Sequence, residues 1–582
     1  MRCCFYNRKT SRIIKGGGKR RVSWTLKEKY RTILFREEGY YKKVWGDYLN
    51  ICLAYPNIYR TGMSNLGFQT VYDLLNRHPR CLCERAFLPD REDEEEFKKG
   101  AIPLFSLESQ RPLADFDILA FSLSFENDYP NILKILAMGG ISLLSSQRRE
   151  NEPLILGGGI AATLNPEPLA DFFDCFILGE GEEAIPQFLD KLAVIRQSGL
   201  DKEELLFHLQ KEIGGVYVPR FYQVSYGMKN LIEDMAPVDK HLPVKIKKSR
   251  LPDVNAFLTE QCIRANDSEL GKMFLMEVSR GCARGCRFCA AGFVCRPVRF
   301  RKVDLLEASI IRHLEGQRKI GLLGAAVSDH PGLISLCRFI RERGGEVAIG
   351  SLRLDRLKPE LVKLLKEGGA ETLALAPEAG SQRLRDVINK GVTEEHISHA
   401  VEVLTEHGIP NIRLYFMVGL PTETDDDIEA IIEFTKKIKH HAAKYSKGKR
   451  SFKRIVLSIN QFIPKAATPF QWHPLEDINV VKKKIRRIDN ALRREPSVRV
   501  IHDLPKWNYV QTLLSLGDRR VGEILLAVHR YEGNWPRAMK EVNVNPDFYV
   551  YRHKELSEIL PWDFIEHGVS KSFLLNEYEK SL

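Results

Sequence analysis

The sequence predicts an α/β protein in three parts: a doubly wound parallel-sheet domain, a (β/α)6 partial barrel, and a mainly helical carboxyl-terminal region. Three observations predict it. Apolar, β-rich runs alternate with amphipathic helical segments in two separate series. In the first series the strands end in glycine turns, where doubly wound sheets bind ligands. In the second, six strand–helix units follow one another directly, the pattern of an α/β barrel that carries its chemistry on the loops after the strands.

Taken in order, residues 1–46 read as a basic extension, helical but for a break in the GGGKRR run at Gly16. The first domain spans 47–215. YLNICLAYP gives a buried strand, and SNLGFQTVYDLLNRH a helix capped at Ser64. DFDILAFSLSF (115–125) is a second strand, followed by the helix YPNILKILAMGG, which ends at its glycines. PLILGGGIA runs into a loop at Gly157 and Gly158, and DCFILGEGEEAIPQFLDKL gives a fourth strand, a turn at Gly179 and Glu180, and a helix. A proline-bearing connection covers 216–265. The barrel covers 266–468, with strands FLMEVSRG, KIGLLGAAV, EVAIGSLRL, ETLALAPEAG, IRLYFMVGLP and RIVLSINQFIP. From 469 to 582 the pattern is helical and basic.

Composition narrows the class. Hydrophobic residues make up 44% and charged residues 28% of the 582, ordinary for globular proteins and unlike disordered, collagen-like or disulfide-stapled chains. Apolar runs such as ILAMGGISLL fall short of the ~18 residues of a membrane span, so a soluble, cytoplasmic protein is expected. Lys and Arg exceed Asp and Glu by 88 to 76, a net charge of +12. Much of the excess sits in RKTSRIIKGGGKRR (8–21), KIKKSR (245–250) and KKKIRR (482–487), which fit either anionic partners or solvated faces. The 12 cysteines, without a secretory leader, read as reduced thiols, with metal or cofactor ligands among them.

The sharpest motif is Cys282-x3-Cys286-x2-Cys289 in SRGCARGCRFCAAG, directly after the first barrel strand. Three thiolates within eight residues, interleaved with Gly281, Gly285 and Gly292, can wrap one metal centre, and soft ligands select iron–sulfur, zinc or copper(I). Structural zinc wants a fourth protein ligand. Cys295 could supply it as a C-x3-C-x2-C-x5-C knuckle; without it, a cubane cluster keeps one iron open.

At these residues the chain resembles the radical S-adenosylmethionine superfamily, whose motif also carries an aromatic before the last cysteine, here Phe288. The resemblance implies a 4Fe-4S cluster on Cys282, Cys286 and Cys289, S-adenosylmethionine (SAM) chelating the open iron, and reductive cleavage to methionine and a 5′-deoxyadenosyl radical. It implies cofactor contacts from backbone at Ala325 and Ala326, although the family's GGE residues are absent from GLLGAAVSDH. Further contacts are implied from Ser351 and Arg353, from Glu378 and Ser381, and from Gly419 in LYFMVGLPTET. A rim ion pair would equally explain Arg353 and Glu378, and a helix-entry turn Gly419.

The first domain resembles the cobalamin-binding (Rossmann-like) domain that precedes the barrel in one branch of that superfamily, on LILGGGIAATLNPEPL and DCFILGEGEEAI. Gly157, Gly158, Gly179 and Glu180 are its implied cofactor contacts. The D-x-H-x-x-G motif is missing: the loop after the first strand reads YPNIYRTGMSNLG. The implied activity is radical SAM chemistry, with cobalamin-dependent methyl transfer if that cofactor binds. It needs a low-potential donor such as flavodoxin or ferredoxin. The alternatives are a tRNA- or RNA-modifying radical enzyme, favoured by the positive charge, and a metal-dependent nucleic-acid-binding or electron-transfer protein. Cys3–Cys4 and Cys81-x-Cys83 read as exposed or buried thiols before extra ligands or redox pairs, Arg519–Arg520 equally as a grip on an anionic substrate or a helix-start ion pair, and Trp507, Trp535 and Trp562 as packing anchors.

Overall fold

The computed structural model describes residues 17–46, 48–197, 199–446 and 452–582. Cys3, Cys4 and the first half of the amino-terminal basic run lie outside the described residues. The expected break at Gly16 lies outside the described residues, and helix α1 (Gly17–Phe35) begins directly after it.

The first sheet is built from β1 (Leu49–Tyr55), then helix α2 (Leu66–Arg77), β2 (Cys81–Phe87), β3 (Ile118–Ser122), helix α3 (Tyr129–Met138), β4 (Leu154–Gly158), β5 (Cys175–Ile177), helix α4 (Gly181–Gln197) and β6 (Val216–Tyr217). Its strand order is β2-β1-β3-β4-β5-β6, parallel except for β6. The order reverses between β1 and β3, which opens a crevice beyond their carboxyl ends. Asn65, not Ser64, caps α2, its side chain accepting from the Phe68 N–H.

Strand β2 has no counterpart in the sequence reading, which treated Cys81 and Cys83 only as thiols. All seven of its residues are buried, Glu84 and Arg85 included. Those two charges break the apolar run that would mark a strand. They are tolerated because the Arg85 guanidinium bonds Glu37 and Glu108, while the Glu84 carboxylate accepts from Ser106, Ser109 and the Trp45 indole. Both cysteines are buried in this strand.

The connection after β6 is structured: β7 (Ile246–Lys247) lies within it. The second series follows with β8 (Met273–Glu277), the short hairpin β9 (Ser279–Arg280) and β10 (Arg299–Phe300), α5 (Val303–Leu314), β11 (Lys319–Leu323), α6 (Leu333–Glu342), β12 (Glu346–Ile349) and β13 (Ser351–Leu352). Then come α7 (Pro359–Glu367), β14 (Thr372–Glu378), α8 (Gln382–Val387), α9 (Glu394–Glu406), β15 (Asn411–Val418), α10 (Asp425–Tyr445) and β16 (Arg454–Gln461). The strands pair in parallel as β8-β11-β12 and β13-β14-β15-β16, with only Gly350 between the two arcs.

The carboxyl-terminal region opens with α11 (Ile478–Leu492) and adds a strand the sequence reading did not contain, β17 (Val498–His502), parallel to β16. VRVIH is short and sits between basic helical segments, which hides its alternation. Helices α12 (Pro505–Leu516) and α13 (Val521–Arg530), then β18 (Ile565–Glu566) and α14 (Lys571–Glu579), complete the described chain, and β18 pairs with β7.

Two apolar cores result. One fills the space between the barrel strands and their helices. The other starts in the first sheet, continues through Phe293 and Val294 of the thiol loop, and ends in the carboxyl-terminal helices. The first domain, the thiol loop and the carboxyl-terminal region are thus packed as one unit. Trp535 and Trp562 are buried anchors of this core, whereas Trp507 is exposed. Arg519 bonds Glu167 and Arg520 bonds Asp518, so both are engaged in ion pairs.

Candidate functional site

The thiol loop grows out of β8. Between β9 and β10 the chain must reverse through 281–298, and two glycines permit it. Gly281 has φ 79°, with the Cys295 carbonyl where a side chain would stand, and Gly292 has the Arg284 carbonyl in that place. Cys286 is buried; Cys282 and Cys289 are half-buried. The Cys289 N–H donates to the Cys286 carbonyl at 3.0 Å, and the Arg284 N–H to the Cys282 sulfur at 3.4 Å.

Burial pushes the Cys286 thiol pKa up; Lys390 and Arg353 oppose this, and Cys289 and Cys282 add to it. Burial raises Cys289 as well, against the Ala291 and Gly292 amides and Lys390. The three sulfurs lie near one another, with Lys390 beside Cys286 and Cys289 and Arg353 beside Cys286. They are not drawn to a point: among the described residues no group of three His, Cys, Asp or Glu is arranged to hold a metal ion. Cys295 stands apart from the triad. Burial raises its thiol too, but its charged neighbours are Lys248, Glu180, Arg280 and Arg299.

Arg287, between the second and third cysteines, clamps the loop. Its backbone N–H donates to Ile388, its guanidinium to the carbonyls of Asp386 and Val387, and it pairs with Glu577 of α14 at 3.3 Å. Phe288 is half-buried against the first core.

The remaining sequence-predicted residues divide. Arg353 pairs with Asp355 at 3.0 Å on the side of the thiols. Glu378 ends β14 at φ 68°, a strained conformation for a non-glycine residue, and accepts from the Lys390 ammonium at 3.0 Å. Lys390 was not legible as a site residue; nothing in INKG distinguishes it from a surface lysine. Ser381 is taken up structurally: its oxygen caps α8 by accepting from the Leu384 N–H, and its hydroxyl donates to Asp427. Gly419 turns at φ 81°, its N–H donating to Glu423 at 2.9 Å. Ser351 is exposed on β13, and Ala326 is buried.

Ala325 faces a different space, a cavity of about 670 Å³ between the first sheet and the barrel. Its floor is the carboxyl edge of the sheet, with Gly157, Gly158, Gly159 and Gly179; its roof includes Ser279, Gly281, Cys295, Gly324 and Ala325. A deep arm runs between strand residues Ile51, Leu53, Ile118 and Ala120 and helix residues Thr70, Leu74, Phe188 and Leu189. Side chains at several floor positions would close it or break its walls: a Cβ on Gly157 would meet the Phe176 ring at 2.5 Å, and one on Gly159, at φ 115°, the Leu123 carbonyl at 2.5 Å. The Ser279 hydroxyl lines the cavity fully buried and without a partner.

Glu180 does not line this cavity. It latches the two halves of the molecule: its carboxylate receives Arg299 at 2.9 Å, Arg280 at 3.3 Å and the Leu251 N–H at 2.8 Å. Burial would raise its pKa, but the hydrogen bond from Arg299 and the charge of Arg280 hold it below the usual range. Arg280 also pairs with Glu182 at 2.6 Å and Glu277 at 2.9 Å, and is the hub of the interface.

Comparison with known proteins agrees with this layout. Residues 67–219 match the family model for radical SAM proteins, N-terminal, and residues 276–435 match that for the radical SAM superfamily. An uncharacterized protein of Methanocaldococcus jannaschii is 30% identical over 483 residues, covering 82% of this chain and 90% of its own length. The chain belongs to the radical SAM superfamily. An uncharacterized methyltransferase of Pyrococcus horikoshii is 24% identical over 312 residues, 51% of this radical SAM chain and 61% of that protein. Among solved structures, a cobalamin-dependent S-adenosylmethionine radical enzyme with aqua-cobalamin and S-adenosylmethionine bound is 14% identical, with TM-score 0.47, covering 92% of this chain and 79% of that one. Membership implies SAM, a 4Fe-4S cluster, an electron donor and a substrate. No helix among the described residues is long and apolar enough to cross a membrane.

Proposed function

We propose that this radical SAM enzyme holds its 4Fe-4S cluster on Cys282, Cys286 and Cys289 and a cobalamin in the interdomain cavity, and transfers a methyl group to a substrate carbon. The observation that carries the reading is the separation of thiols. Three share one loop and lie near one another, while Cys295, the candidate fourth ligand, lines the cavity with other neighbours. Such a donor set suits a cluster with one iron free of protein ligands.

When bound, cluster and SAM supply a 5′-deoxyadenosyl radical on reduction, and cobalamin supplies the methyl group. The chain's own residues do the rest. Lys390 beside Cys286 and Cys289, and Arg353 beside Cys286, oppose the rise that burial causes in these thiols. Arg287 fixes the loop from behind. The cavity fits a flat, largely apolar macrocycle with a tail: a glycine floor allows close approach, the aliphatic arm takes an aromatic group, and the Ser279 hydroxyl offers a hydrogen bond to an amide arm. No histidine lines it among the described residues, so the fit rests on the glycine floor, the aliphatic arm and Ser279. The name of the Pyrococcus relative supports methyl transfer.

The test is anaerobic reconstitution with iron, sulfide and cobalamin, then dithionite and SAM. The expected result is bound corrinoid and 5′-deoxyadenosine; a fully loaded cluster with no cleavage, whose iron is lost or opened to SAM only in Cys295→Ala, contradicts the radical reading because it marks a closed four-thiolate site.

A further inference from the structure

The basic run KIKKSR has no part in the site just described, yet the fold brings it to the thiol loop. Its second and third residues form β7, pinned beside β18. The Lys248 N–H donates to the Glu566 carbonyl at 3.4 Å, and its half-buried ammonium faces Cys295, Glu180, Arg299 and Arg250. Lys245, Lys247 and Arg250 remain exposed, and none of them enters an ion pair among the described residues. Glu566, in register with Lys247, tempers this charge without cancelling it.

The same arm of the loop carries Arg296, whose guanidinium lies 5.2 Å from the Phe293 ring centroid. Phe293 is one turn beyond Cys289: the Gly292 N–H donates to the Cys289 carbonyl and the Phe293 N–H to that of Ala290. Phe293 in turn meets Phe573 of α14, ring centroids 6.5 Å apart, and Phe573 is 41% exposed. A partly uncovered ring thus packs on Phe293, which closes the turn after Cys289 and carries Arg296 on its face.

We propose that the exposed cations Lys245, Lys247 and Arg250, tied to the base of the thiol loop where Arg299 donates to the Leu251 carbonyl at 2.6 Å, form with Arg296 and Phe573 the docking surface for an acidic, low-potential one-electron carrier protein. The inference rests on the radical reading, which requires electrons at the triad. Unpaired cations steer an acidic partner and set its orientation, and an apolar centre with a charged rim is how small interfaces are built. A nucleic acid is less well served: a single exposed ring is no stacking platform.

The full-length triple variant Lys245→Glu, Lys247→Glu, Arg250→Glu, reconstituted anaerobically, separates the possibilities. SAM cleavage is measured with reduced flavodoxin and, separately, with dithionite. The flavodoxin-driven rate should fall at least tenfold and the flavodoxin concentration for half-maximal rate should rise. The wild-type flavodoxin rate should drop with salt, and the dithionite rate should not change. The proposal is overturned if the flavodoxin rate holds, if both rates fall together, or if only transfer RNA binding is lost. Lys247→Gln with Arg250→Gln should give an intermediate loss and carries the test if the triple variant does not fold. Wild-type protein that cleaves with neither reductant overturns the radical reading itself, a result distinct from all of these.

Discussion

The thiol loop and the interdomain cavity are neighbours built on opposite plans. The loop is fixed by charge and backbone: Arg287 holds it to the end of α8 and to α14, and Lys390 and Arg353 face its sulfurs. The cavity is fixed by absence of side chains on its floor and by aliphatic walls in its arm. Three reactive groups come from eight consecutive residues in one; in the other, the lining comes from four strands, two helices and a second domain. The difference teaches that a loop of thiols can be specified locally, whereas an interdomain cavity is a property of the assembled interface, held by Arg280 and its three carboxylates.

That contrast can be broken most sharply at the sulfurs. Cys286→Ala should lower 5′-deoxyadenosine formation by about 1,000-fold or more and reduce iron content, while Cys295→Ala should stay within about threefold of wild type. A Cys295→Ala protein that loses its cluster would merge the two regions into one site. Next in size is the latch. Arg280→Met leaves Glu182 without its cation, and Glu180 and Glu277 with only Arg299 and Arg301, and should cost about 3 kcal/mol by calorimetry. Its pH dependence sharpens the point. Glu277 and Glu180 sit below the usual carboxylate range when folded, so in wild type their stabilisation is complete above about pH 4.5 and is lost as pH falls through their folded values. In the variant, where three carboxylates are left to Arg299 and Arg301 alone, melting temperature should instead rise as pH is lowered from 7 to 5.

The cavity has its own probe. A Cβ on Gly158 meets only the Ile177 carbonyl, at 3.4 Å, so Gly158→Leu should fold and project into the floor. Bound corrinoid should fall about tenfold with iron content unchanged; equal corrinoid binding would place that ligand elsewhere. The smallest effect belongs to Ser381→Ala, which should cost about 1 kcal/mol as a lost helix cap and leave the KM for SAM within about twofold. A tenfold rise in KM would return that hydroxyl to the cofactor.

Much of this was legible in the sequence, for reasons that follow from the same contrast. The cysteine spacing, the glycine turns after β4 and β5 and the alternating strand–helix series are local patterns, and each appears in the structure where the sequence puts it. What stayed hidden is non-local. Strand β2 reads as polar because Glu84 and Arg85 find partners far away in sequence. Strand β17 is too short to stand out from its basic flanks. Lys390 acquires meaning only from Glu378 and the thiols, and Glu180, which the glycine turn suggests as a ligand contact, proves to be committed to Arg280 and Arg299.

The ion pair of Arg287 with Glu577 also sets an order of events in biosynthesis. Roughly 290 residues must be added after Arg287 before its partner exists, and at ~5–20 residues per second that takes tens of seconds. Throughout that interval three cysteines outside the ribosome lack the helix that backs their loop. Cluster insertion into the finished fold is therefore a late step, and oxidants have a window in which to reach the nascent thiols first.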